Sequence, residues 1–143
     1  MVEALYFDDV TVGVPAESPG QTLTEADVLL YKGLAGEWES PDAAAGLVPD
    51  LLALCVSSGL TWRFPQPPLE ILAFRGFEWK FFHPIQVGDT IRCRATTVAK
   101  RAAPDGGVPE GGLMVERREI LNQRNEVVQS GRVTYLVARC PSP

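Results

Sequence analysis

The feature that most constrains the fold is an uncharged stretch in the middle of the chain. After Asp50, the residues from Leu51 to Trp62 include no lysine, arginine, aspartate or glutamate. A helix without a polar stripe is typical of one that is buried on every side. The prolines at positions 65, 67 and 68 end the segment. The sequence therefore predicts a buried helix over residues 50–62.

Strand patterns fill most of the chain after this helix. Residues 70–82 are aromatic and β-branched, and residues 89–101 alternate apolar and polar side chains. Residues 113–122 and 126–140 predict a hairpin, and residues 102–112 predict a flexible reversal with no further role. A buried helix followed by an antiparallel meander predicts an α+β fold in which a sheet wraps around the helix.

Two further elements are expected before the central helix. Residues 6–10 predict a short edge strand, and Gly13 and Pro15 prevent a longer one. Thr24 and Asp27 have the spacing of a capping box, which predicts a helix over residues 25–34 that ends near Gly36. With 143 residues, the chain is expected to form one domain over residues 1–143.

Charge and composition exclude several classes of function. The formal net charge is −5, from 13 basic and 18 acidic residues, which argues against a nucleic-acid partner and weakly against a membrane surface. The three cysteines are far apart and His83 is the only histidine, so we expect no metal and no other cofactor. Because the chain shows neither a leader pattern nor a long apolar run, a cytoplasmic location is expected.

Several motifs occur in one order along nearly the whole chain. They are an opening at residues 6–13, a first helix at 23–28 followed by 34–36, a central helix at 51–60, a strand at 77–90 that ends in Gly-Asp-Thr, and a final hairpin at 121–128. In this order they resemble MaoC-like dehydratase domains. The resemblance implies a hotdog fold with an antiparallel sheet of about five strands around one long central helix. It also implies acyl-CoA or acyl-carrier-protein thioesters as ligands.

The chain departs from the catalytic signature that the resemblance implies. That signature is an Asp, then Asn-Pro, then a His after the first helix, with a His-Gly pair before the central helix. Here Glu37 and Asp42 stand at the Asp and His positions, and Pro49-Asp50 replaces His-Gly. Ser58 matches a helix serine that supports the catalytic Asp in the family. The resemblance therefore implies a retained scaffold with a degenerate catalytic pair.

Each candidate site residue has a structural alternative. Glu37 and Asp42 form either a coupled acid and base or two solvated loop carboxylates. Asp50 is either a general base or the N-cap of the central helix. Ser58, like Ser57, either orients a reacting group or simply packs against the sheet. Trp38 either lines an acyl pocket or packs in the core or a loop, and a substrate-binding role is also expected for Leu51.

Two groups of strand residues are also open to two interpretations. An aromatic cluster is expected to be mostly core, with a side that faces another subunit; it contains Phe74, Phe77, Trp79 and Phe81. A set of arginines contacts CoA phosphates or covers a solvated face of the sheet, and the solvated face is favoured; it contains Arg92, Arg94, Arg117 and Arg118.

Three functional hypotheses follow. The first is a MaoC-like protein that binds or acts on acyl thioesters, an (R)-specific hydratase or dehydratase if active and a non-catalytic subunit if not. The second is an acyl-CoA thioesterase that uses carboxylates only. The third is a non-enzymatic binding module. In each case the resemblance implies a homodimer or a higher even oligomer, or a heteromer with an intact MaoC-like subunit.

Overall fold

A computed structural model describes residues 3–36, 46–102 and 111–141. Two α-helices and six β-strands account for most of the described chain. In order, they are β1 (Pro15–Glu17), β2 (Gln21–Thr22), α1 (Glu25–Ala35), α2 (Asp50–Leu60), β3 (Ile71–Phe81), β4 (Thr90–Ala102), β5 (Gly111–Leu121) and β6 (Val127–Ala138). Short 3-10 helices cover Phe7–Asp9 and Thr61–Arg63, and the second of these extends α2.

The strands form an antiparallel sheet in the order β1-β4-β5-β6-β3, and β2 also pairs with β4. The predicted hairpin at residues 122–125 joins β5 to β6, and Asn125 takes the positive φ of 61° that this turn needs. Strand β3 pairs with β6 and lies at the end of this order. The long strands confirm the predicted sheet, and β5 begins inside the segment that was expected to be a loop. The rest of that segment, residues 103–110, lies outside the described residues.

Helix α1 begins and ends as its sequence predicts. The Thr24 hydroxyl accepts a hydrogen bond from the Asp27 backbone N–H at 3.3 Å, and the Asp27 carboxylate accepts one from the Thr24 N–H at 2.8 Å. Gly36 ends the helix in the left-handed region at a φ of 65°. Both ends are therefore set by local chemistry.

Helix α2 packs on the sheet along one face. Leu52, Ala53 and Leu60 are buried in the main core, where they meet strand residues such as Ile91 and Ile120. The opposite face is open in the described chain, because Leu51 is 48% exposed and Cys55 is also exposed. The prediction of burial on every side was therefore wrong for this single chain. The absence of charged residues makes every face of a helix apolar, but it does not show which faces other elements cover.

The predicted edge strand at residues 6–10 was also wrong. The segment forms the 3-10 helix Phe7–Asp9, because the Asp9 carboxylate accepts a hydrogen bond from the Tyr6 N–H at 2.9 Å and closes the turn. The turn buries Phe7 in a second core cluster with Met114 of β5 and with Val133, Tyr135 and Val137 of β6. The 3-10 turn therefore places the N-terminal segment beside the central strands β5 and β6.

Candidate functional site

The start of α2 is held in place by three hydrogen bonds. The Val48 N–H donates to the Ile85 carbonyl oxygen at 2.7 Å, which fixes the chain just before the helix. The Gln129 amide donates to the Asp50 carbonyl oxygen at 3.0 Å, and the Trp79 indole N–H donates to the Gln129 amide oxygen at 3.0 Å. Because Gln129 is fully buried, the sheet sets the position of the first turn.

Asp50 does not cap α2. Pro49 is the N-cap residue, no side chain caps the helix there, and Asp50 is an exposed residue of the first turn. A proline at this position brings an extended backbone but no acceptor side chain, so the capping role expected for Asp50 was wrong. The carboxylate still lies at the positive end of the helix dipole, where a negative charge is favourable.

The first turn of α2 offers backbone N–H groups that the helix cannot satisfy itself. Leu51 lies beside Asp50 in this turn, and its side chain is half-exposed. Such N–H groups stabilise a developing negative oxygen, whereas the Asp50 carboxylate beside them opposes it. Glu37, Trp38 and Asp42, the other predicted site residues before α2, lie outside the described residues.

A buried polar cluster joins the middle of α2 to the sheet. Arg118 on β5 is fully buried and its Nε donates to the Glu116 carboxylate at 3.0 Å. Its Nη1 donates to the hydroxyls of Ser57 and Ser58 at 3.3 and 3.4 Å, and its Nη2 donates to the Tyr135 hydroxyl. Ser58 therefore supports a buried arginine. Ser57 also donates to the Leu54 carbonyl oxygen at 2.7 Å, the backbone contact expected of a helix serine.

Burial sets the protonation of this cluster. Burial raises the pKa of Glu116, and the Arg118 guanidinium only partly offsets that rise. Burial and the nearby Glu116 carboxylate also raise the pKa of Tyr135. Burial raises the pKa of the Cys93 thiol to about 12, so this cysteine stays a thiol and is a poor nucleophile.

A cavity of about 360 Å³ lies next to the cluster. Its walls come from the N-terminal segment and from the segment that follows α2, and they are mainly apolar. Glu116 and Tyr135 provide polar groups from the sheet. The cavity therefore joins an apolar wall to a buried carboxylate and a phenol.

Sequence reasoning missed this cluster. Arg118 was expected on a solvated face of the sheet, and its complete burial contradicts that expectation. Arg117 beside it is exposed, as expected. The available signal was the alternation along β5, which places Glu116 and Arg118 on one face together with the apolar residues Met114 and Ile120.

Within residues 3–36, 46–102 and 111–141, no group of three or more histidine, cysteine or acidic side chains is placed to hold a metal ion. In the same part of the chain, neither helix has the length and apolar character needed to cross a bilayer.

Comparison with solved structures identifies the fold. A Mycobacterium tuberculosis protein with a double hotdog fold superposes with a TM-score of 0.82 and 22% identity, over 98% of this chain and 46% of that chain. The chain has the hotdog fold. A MaoC-like dehydratase from Rhodospirillum rubrum matches this hotdog chain with a TM-score of 0.76 and 21% identity, over 97% of this chain and 100% of that chain.

A third structural neighbour is a complex with a named activity. It is the (3R)-hydroxyacyl-ACP dehydratase complex from M. tuberculosis, with a TM-score of 0.68 and 14% identity, over 87% of this chain and 96% of that chain. No protein-family model and no curated protein sequence matches the chain. The resemblance to MaoC-like dehydratases is thus confirmed at the level of the fold.

Proposed function

We propose that this hotdog protein belongs to the MaoC-like lineage and binds acyl thioesters with a degenerate hydratase site. The observation that carries the proposal is the first turn of α2, where Pro49-Asp50 stands in place of the family's His-Gly pair. The fold neighbours include a MaoC-like dehydratase and a (3R)-hydroxyacyl-ACP dehydratase, which supports a thioester as the ligand.

The same turn explains why turnover is expected to be weak. The backbone N–H groups at the start of α2 receive the thioester carbonyl, but the Asp50 carboxylate repels the negative charge that hydration develops there. Glu37 and Asp42 replace the family's Asp and His. Loss of a general base typically lowers a rate by about 10²–10⁴-fold. An isolated homo-oligomer is therefore expected to bind thioesters and to turn them over feebly.

A panel assay tests this proposal. The purified protein is incubated with saturated and trans-2-enoyl-CoAs, and mass spectrometry follows water addition and CoA release. Binding is measured in parallel by calorimetry. We expect binding without conversion, and an intact MaoC-like subunit then restores hydration in a mixed oligomer.

Three results would contradict that expectation. Rapid hydration that Glu37→Gln and Asp42→Asn both abolish would mean that these carboxylates rebuild the catalytic pair. Release of free CoA would favour hydrolysis. Absence of any thioester binding would leave the non-enzymatic binding module. The exposed substitution Glu3→Gln serves as a charge-matched control, since Glu3 lies far from α2 in the sequence.

The second candidate, a carboxylate thioesterase, is favoured by the exposure of Asp50. Its side chain makes no capping bond, so the carboxylate at the start of α2 is available to act as a base or nucleophile. If this candidate holds, Asp50→Asn abolishes release of CoA and leaves thioester binding intact. An unchanged rate of CoA release in both Asp50→Asn and Glu37→Gln would exclude the thioesterase candidate.

Assembly into a side-by-side dimer is part of the proposal. Strand β3 lies at the end of the strand order and presents exposed aromatic side chains, with Phe74 at 54%, Phe77 at 47% and Phe81 at 45% exposure. The core interpretation of these phenylalanines was wrong, and a subunit contact accounts for such a patch. One structural neighbour is described as a complex, which supports assembly with a second subunit.

A cytoplasmic location belongs to the proposal as well. Cys55, Cys93 and Cys140 are all free thiols, as is typical of proteins kept in a reducing compartment. The three free thiols are therefore consistent with a protein that works in the cytoplasm.

A further inference from the structure

The cavity beside the Glu116–Arg118 pair has the properties of a ligand site distinct from the first turn of α2. Most of its wall is apolar and comes from two segments far apart in sequence, residues 5–16 and 61–71. Trp62 is 61% exposed and lines this wall, so the cavity is reached from the surface at that residue. An opening of this kind admits a molecule from solvent.

The sheet offers the cavity an acceptor at Glu116. All three guanidinium nitrogens of Arg118 already donate, to Glu116, to the two serines and to Tyr135. The Tyr135 hydroxyl lies 3.5 Å from Glu116 Oε1, the same oxygen that Arg118 contacts. Within the described part of the chain, no hydrogen bond reaches the second carboxylate oxygen, Glu116 Oε2, and Glu116 lines the cavity.

The charge of the cluster selects against charged ligands. An anionic ligand would lose its hydration in a mainly apolar cavity and would face the Glu116 carboxylate. A cationic ligand would lose its hydration in an apolar cavity, beside a carboxylate that Arg118 already neutralises. A neutral molecule with one donor avoids both costs.

The volume sets the size of that molecule. A cavity of about 150 Å³ holds benzene, so one of about 360 Å³ has room for on the order of ten non-hydrogen atoms. We propose that this cavity binds a neutral, mainly apolar alcohol of about that size, whose hydroxyl donates to Glu116. The proposal does not depend on the thioester function, because it concerns different residues and a ligand without a thioester.

Calorimetric titration of the whole protein tests the site with three matched probes. They are 1-octanol, its isomer heptyl methyl ether, which lacks a donor, and octanoate, which is an anion. A hydrogen bond to a charged group predicts that 1-octanol binds about ten- to a hundredfold more tightly than the ether. Octanoate is expected to bind more weakly than both.

A pair of alanine variants locates the binding. Ala95 is buried and lines the cavity from β4, whereas Ala99 on the same strand is exposed. Ala95→Leu fills the cavity and is expected to abolish 1-octanol binding. Ala99→Leu makes the same change outside the cavity and is expected to leave binding unchanged.

Several results would overturn the proposal. They are absence of binding by every probe, equal affinity for the ether and the alcohol, tightest binding of octanoate, or unchanged binding in a folded Ala95→Leu variant. The probe series uses the unaltered protein, so it decides the question even if Ala95→Leu does not fold. The result is also independent of the thioester panel, since no probe contains a thioester.

Discussion

At the scale of single residues, the buried polar cluster depends on Arg118, which donates hydrogen bonds to four other side chains. It is fully buried, ion-paired with Glu116 at 3.0 Å, and hydrogen-bonded to both serines of α2. Breaking a buried pair is costly because the remaining charge has no partner. The stability of the fold should therefore depend strongly on this one arginine.

We expect Arg118→Met to lower the free energy of unfolding by about 3–5 kcal/mol at neutral pH. The pKa of Glu116 is already raised by burial, and loss of the guanidinium raises it further. A carboxyl whose pKa is higher in the folded state binds more protons there, so stability falls as pH rises from the unfolded value toward the folded one. The variant should therefore regain stability between neutral and mildly acidic pH.

Urea unfolding at several pH values measures this effect. Arg117→Met is the matched control, because Arg117 is the exposed neighbour of Arg118 on the same strand. We expect a small change in the control that does not vary with pH. Equal losses in the two variants would show that the buried pair contributes nothing specific.

At the scale of elements, the contact between β6 and β3 depends on the absence of a side chain at Gly131. Gly131 pairs with Trp79, and a Cβ atom placed on it would lie inside the van der Waals distance of the Glu78 carbonyl oxygen. Backbone atoms cannot rotate away as a flexible side chain can. The glycine is therefore needed for the two strands to approach.

Gly131→Ala is expected to destabilise the protein by about 1–3 kcal/mol or more, through overpacking between β3 and β6. Gly76→Ala is the control on the paired strand, since no atom lies within 4 Å of its added Cβ. Where the backbone conformation is compatible, a glycine-to-alanine change stabilises by about 0.4–1 kcal/mol. Urea midpoints of the two variants compare the effects, and similar midpoints would contradict the close approach at Gly131.

At the scale of the whole molecule, the described chain leaves apolar side chains exposed on several elements, α1 among them. Two of these surfaces are the exposed side of α2 at Leu51 and Cys55 and the exposed phenylalanines of β3. The terminal position of β3 also leaves backbone groups without strand partners on one side. A second hotdog subunit that continues the sheet would cover both kinds of group.

Light scattering coupled to gel filtration tests the dimer. We expect the unaltered protein to have twice the mass of the chain, and Phe77→Lys to shift it to the monomer because a charge enters the apolar contact. Leu34→Lys is the control, since Leu34 is 92% exposed on α1. Circular dichroism verifies that both variants are folded, and an unchanged mass for folded Phe77→Lys would exclude this edge as the interface.

The sequence by itself determined the elements whose causes are local. The capping box at Thr24, the uncharged run after Asp50 and the strand patterns each depend on residues a few positions apart, and they predicted α1, α2 and the antiparallel sheet. The turn at residues 6–10 was mispredicted because a single contact, from the Asp9 carboxylate, replaced a strand pattern.

Only the tertiary structure decided what the polar residues do. Ser58, Arg118 and Tyr135 meet from α2, β5 and β6, and no local pattern shows that a charged strand residue will find its partners there. Asp50 and Leu51 are likewise exposed, because α2 packs on the sheet with its opposite face. Contacts between distant segments depend on sheet register and helix rotation, and these are fixed only when the whole core assembles.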